Sequence, residues 1–132
     1  MSEFIDDYIQ YRIEKSNQAF RDAELLIHAE SWNGAMNRLY YSCYYLVSAL
    51  ILKDGIESKT HAGLRNQFNL HYVKTGLISL EHGRLFSDLF DSRQKGDYGD
   101  MYDFDKESVE GLVLPVQDFI ATVKGFIASK EI

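Results

Sequence analysis

Residues 33–54 read NGAMNRLYYSCYYLVSALILKD, and this stretch decides the fold. Ala35, Leu39, Ser42, Cys43, Leu46 and Leu50 recur at the three- and four-residue spacing of one helical face. Tyr40, Tyr41, Tyr44, Tyr45, Val47, Ile51 and Leu52 fill most of the remaining circumference. A helix that is apolar nearly all round sits in the middle of a bundle and is touched from several sides. Gly55, just after Lys53 and Asp54, reads as its stop, because glycine takes the left-handed conformation without a Cβ clash. The uncharged run 39–52 is fourteen residues long and holds four tyrosines and two serines, too short and too polar to span a bilayer.

The flanking segments supply partners for this helix. Upstream, Ile9, Ile13, Ser16, Phe20, Ala23 and Ile27 step by three and four, which predicts a helix over 3–30. Downstream, Leu64 and Phe68 mark a third helix over 60–75, ended by Gly76. Leu85, Phe86, Leu89 and Phe90 mark a fourth over 80–95, with Gly96 as its stop. A fifth starts near Asp105, a predicted N-cap with Glu107 in the acidic first turn, and carries Val109, Leu112, Val116, Phe119, Val123 and Phe126. Pro115 falls inside it and is expected to kink it. Short connections between long amphipathic helices predict an all-α fold, an up-and-down bundle of four to five helices forming a single domain over 1–132.

Composition agrees and bounds the partners. The 132 residues suffice for one core, and 45% hydrophobic with 26% charged residues is the balance of a globular chain. The net charge of −6 excludes a strongly basic nucleic-acid coat but not a local basic site. Residues 32–86 hold six bases against three acids, whereas 97–132 hold eight acids against three bases. A single cysteine excludes an intrachain disulfide and suits a reducing cytoplasm. Residues 1–7 carry three acids and no base, the opposite of a secretory leader. The expected location is cytoplasmic, with no membrane partner.

Few residues can carry chemistry. There is no Gly-rich phosphate loop, CxxC pair, HExxH or GxSxG. His28, His61, His71 and His82 do not gather at a metal-ligand spacing, and Asp97, Asp100, Asp103 and Asp105 lack the spacing of an EF-hand, so no metal and no cofactor is expected. The segment RQKGDY, 93–98, stands out. Arg93 and Lys95 fall at a helix C-terminus, where the macrodipole favours cations. A guanidinium there is also a planar fork matched to phosphate, with the Tyr98 hydroxyl beside it.

Four stretches in order resemble the HEPN domain, in its stand-alone prokaryotic branch. They are AMNRLYYSCYY at 35–45, KTHAGL at 59–64, Phe68 with YVKTG at 72–76, and LFDSRQKGDY at 89–98. The resemblance covers nearly the whole chain. It implies a four- or five-helix bundle, usually dimeric. In ribonuclease members an R-x4–6-H motif lies at the corresponding helix junction, where the arginine steadies the scissile phosphate and the histidine moves the 2′-hydroxyl proton without a metal. Many such domains are toxins paired with a nucleotidyltransferase-like antitoxin.

This chain departs at the decisive position: Arg93 matches the arginine, but Asp97 and Tyr98 stand where the histidine falls. A tyrosine with a pKa near 10 is a poor base at neutral pH, and Asp97 opposes phosphate approach. Arg65 and His71 fit the same pattern, but inside one helix, roughly 120° apart. His61 supplies a base if the third helix packs beside the junction; otherwise it is a structural residue at a helix start. Two functions follow. One is a binding component of a toxin–antitoxin or defence-type system that engages RNA, a nucleotide or a partner through Arg93, Asp97, Tyr98 and Lys59. The other is a metal-independent endoribonuclease using Arg93 with Tyr98 or His61. The expected partners are a second copy, a nucleotidyltransferase-like antitoxin and RNA.

Overall fold

The protein is described by a computed structural model over residues 2–98 and 103–129, with side chains described for 4–95 and 103–129. Its helices are α1 (Ser2–His28), α2 (Trp32–Lys53), α3 (His61–Phe68), α4 (Leu80–Tyr98), α5 (Lys106–Glu110) and α6 (Val113–Ser129). Among the described residues there is no strand. The all-α expectation therefore stands.

α2 is the axis. Twelve of its residues are buried, and it packs on α1, α3, α4, α5 and α6. That is what its all-round apolarity required. Burial of this kind contributes roughly 25 cal/mol per Å² of apolar surface and is the main stabilising term. Cys43 lies fully inside, where burial pushes its thiol up to about 12. α1 and α2 form an antiparallel hairpin over a short turn. Ser16, the one hydroxyl in the apolar stripe of α1, is accounted for by its bond to the Ser42 carbonyl at 2.6 Å. Gly55 takes φ +73°, its N–H donates to the Leu52 carbonyl and the Ile56 N–H to that of Ile51, a complete Schellman stop.

The third predicted helix is instead two pieces. α3 passes into a π-helical turn, Asn69–Val73, which buries Tyr72 and bonds its hydroxyl to the Asp54 carboxylate beyond the end of α2. Ser79 precedes α4 and its Oγ accepts the His82 N–H at 3.1 Å; the helix runs through Gly96 to Tyr98. The expected stop at Gly96 is overturned: an interior glycine costs a helix only about 1 kcal/mol and does not end it by itself. His82 ties α4 to α6 by its Nε2 contact with Asp118 at 2.9 Å.

Asp105 caps α5 as expected, accepting from the Ser108 N–H at 2.8 Å. Asn33 at the start of α2 holds the approach to α5, accepting the Phe104 N–H at 2.8 Å. The kink expected at Pro115 is a break placed earlier, at Gly111 and Leu112, so that proline lies in the first turn of α6, where its missing N–H costs nothing. Lys106–Ser129 has a mean hydropathy of 1.4 over an 18-residue window, long and apolar enough by composition to cross a membrane. In the bundle its Val109, Val116, Phe119, Val123 and Ile127 are buried, and its Lys124 donates to Asn17 of α1 at 2.6 Å.

Candidate functional site

The site is built where α2, α3 and α4 meet, and α2 supplies its walls. Successive helical residues lie 100° apart, so Tyr40, Tyr41 and Tyr44 fan across one sector. Tyr40 is fully buried, its ring parallel to Phe86 at 6.0 Å between centroids. Tyr41 and Tyr44 are half-buried and reach the surface.

α4 brings Arg93 to this sector. Its Nη2 donates to the Tyr41 hydroxyl at 3.0 Å. The guanidinium carbon lies 5.5 Å from the Tyr41 ring centroid and 5.8 Å from that of Tyr40, both within cation–π range. Arg38 covers the Tyr41 ring at 4.9 Å. Two guanidinium groups thus flank one tyrosine at the surface.

α3 brings His61 from the third side. Thr60 caps the helix, accepting the Gly63 N–H at 2.8 Å. Gly63 allows that closeness, because a Cβ there would lie 2.9 Å from Thr60 Oγ1. The cap sets His61 as the first helical residue, facing α2. Its Nδ1 lies 2.8 Å from the Tyr40 hydroxyl, and its ring stacks on Tyr44 at 4.3 Å and 16°. Burial, and then the Arg93 charge, hold His61 below the ordinary histidine value, so the imidazole is neutral at pH 7. Burial pushes the Tyr40 hydroxyl upward despite the opposing pull of Arg93, and burial likewise raises Tyr44. Both phenols stay protonated. The result is a cation, a neutral imidazole and two phenols in one patch, which can hold an anion and exchange a proton.

Of the residues expected from sequence, Arg93 and His61 are brought together through Tyr40 and Tyr41. Lys59 is exposed two residues before His61, on the rim of a neighbouring cavity. Asp97 and Tyr98 end α4, and their side chains lie outside the described residues. Arg65 and His71 are not brought together: Arg65 lies over Phe90 at 4.4 Å and 3.7 Å from Asp91, while His71 bonds Gln67 at 2.9 Å. Among the described residues no group of three or more histidine, cysteine, aspartate or glutamate side chains is placed to hold a metal. Sequence reasoning missed Tyr41 as the arginine's partner. It also missed Arg12, whose Nη1 donates to the Ser48 carbonyl at 3.0 Å. The signal for Arg12 was a base bordering the apolar stripe of α1.

Comparison with known proteins gives a consistent picture. The profile of the HEPN domain matches residues 9–126. A UPF0332 protein of Thermotoga maritima is 34% identical over 119 residues, 90% of each chain. A candidate toxin of Methanocaldococcus jannaschii is 31% identical over 120 residues, covering 91% of this chain and 82% of that one. A second candidate toxin of that organism is 29% identical over 128 residues, covering 97% and 93%.

Proposed function

The chain belongs to the HEPN domain family, and from that premise we propose that it is the toxin-like component of a prokaryotic two-protein system, binding RNA at the junction of α2, α3 and α4. The observation that carries this reading is the placement of Arg93, bonded to the Tyr41 hydroxyl beside a second guanidinium and a neutral imidazole. A guanidinium is a planar charged fork whose geometry matches a phosphodiester. The functional unit is a homodimer kept in check by a nucleotidyltransferase-like antitoxin.

A second reading is metal-independent cleavage of that RNA. It is favoured by His61, whose Nδ1 is engaged by Tyr40 while Nε2 has no partner among the described residues. With its one proton on Nδ1, donated to the Tyr40 hydroxyl oxygen, the neutral imidazole keeps a lone pair on Nε2 that can accept the 2′-hydroxyl proton, the role that Asp97 and Tyr98 fill poorly.

Both readings are tested by incubating the full chain with mixed tRNA and mRNA, with and without EDTA. Retardation of RNA that is lost in Arg93→Ala supports the binding module. EDTA-resistant cleavage that is lost in Arg93→Ala and His61→Ala supports the nuclease. Indifference of RNA to the wild-type chain sinks both.

A further inference from the structure

A cavity of about 470 Å³ opens beside the cluster, between α1, α2 and the segment joining α2 to α3. Tyr44 is the wall shared by the two. Its ring stacks on His61 and also lines the cavity, and its hydroxyl lies within electrostatic reach of both Arg12 and Arg93. Tyr11 and Tyr45 line the cavity as well, with Arg12 and Lys59 as its cations and Glu57 as its single acid. Arg12 is fixed in direction by its bond to the Ser48 carbonyl, which uses one of the five guanidinium N–H groups. Lys59 is exposed. The cavity therefore combines aromatic faces with two positive charges against one negative, within the volume range of small-ligand sites. Tyr11 is 60% exposed and adds little to packing.

We propose that this cavity is a second subsite for the same RNA strand, holding the nucleotide next to the one whose phosphate meets Arg93. The base lies against Tyr11 and Tyr45, and Arg12 and Lys59 take its phosphate. Tyr44 separates the two nucleotides. This rests on the RNA reading above and extends it: the strand crosses α2, from the α4 side to the α1 side, in an unstacked single-stranded form. A duplex would keep its bases stacked and paired away from the cavity.

The test is fluorescence anisotropy with an end-labelled single-stranded RNA of about ten nucleotides and the full chain, titrated with salt. Lys59→Ala and Tyr11→Ala change exposed side chains and leave the bundle intact, which circular dichroism checks. Arg12→Ala is the stronger lesion but also removes the bond to Ser48, so it is read only beside the other two. Each of Lys59→Ala and Tyr11→Ala is expected to weaken binding about three- to tenfold. Lys59→Ala also lowers the slope of log affinity against log salt by about 0.7, the loss of one single-strand phosphate contact; Tyr11→Ala leaves the slope unchanged. If Arg93→Ala abolishes binding while Lys59→Ala and Tyr11→Ala match wild type in affinity and slope, the second subsite is refuted and the RNA reading survives. If wild type binds no RNA, both fall together. Equal affinity for a blunt duplex of the same length overturns the single-strand path.

Discussion

The buried hydroxyl of Tyr40 meets Nδ1 of His61 at 2.8 Å, so a residue of the central helix orients an imidazole that begins another. The bond fixes the ring at its Nδ1 edge. Tyr40→Phe keeps the buried ring and removes only this hydroxyl. Its expected cost is about 1 kcal/mol, the usual net worth of one hydrogen bond. Urea denaturation measures it. Nitrogen-15 shifts of the imidazole should move toward a mixed tautomer population, which a purely packing role for Tyr40 would not produce.

Arg93 combines charge with shape. Arg93→Ala removes both and should weaken RNA binding about tenfold or more. Arg93→Lys restores the charge without the planar fork and should fall between the two. Filter binding at fixed salt ranks the three; a lysine variant equal to wild type would reduce the role to a point charge.

Acid should destabilise the fold through His61. Its folded pKa is held below the ordinary 6.5, first by burial and then by Arg93. The unfolded chain thus binds this proton more readily. Above 6.5 neither state carries it and nothing is lost. As pH falls through 6.5 the unfolded state is protonated first, and stability declines until the folded value is passed. Denaturation midpoints between about pH 8 and about pH 5 should fall further for wild type than for His61→Gln. Parallel profiles would remove His61 from the account.

Gly63→Ala sets two effects against each other. Alanine gains about 1 kcal/mol of helix propensity over glycine. Its Cβ would lie 2.9 Å from Thr60 Oγ1 and dislodge the cap, which costs about 1 kcal/mol. Stability should change little while RNA affinity drops, because His61 follows the displaced cap. A thermal melt paired with a binding curve separates the two.

Phe119 is fully buried between Phe68 and Phe86, each 5.9 Å away. Phe119→Ala should cost about 3–5 kcal/mol, a large share of the roughly 5–15 kcal/mol that holds such domains folded. Guanidinium denaturation would show it.

The bundle was legible because its strongest signals are local and periodic. The apolarity of α2, the stop at Gly55 and the cap at Asp105 all follow from neighbours within one turn. Gly96 misled because a glycine ends a helix only where the chain turns left-handed, as at Gly55 and Gly76. The π-helical turn escaped notice because it shifts register by one residue without altering composition. Arg93 was legible as a cation at a helix end, and His61 only conditionally, since its neighbourhood depends on how α3 docks. Which tyrosine meets Arg93 was not legible at all. Tyr40 and Tyr41 are adjacent in the chain and differ only in which helices happen to face them.

Cys43 has a further experimental consequence. The sole sulfhydryl of the chain is sealed inside the central helix, with its ionisation pushed up to about 12. Alkylating reagents reach it only when the helices part, so the speed of its modification is a stopwatch for global opening. A cysteine engineered onto the outside would meanwhile be the one handle a dye or spin probe can find.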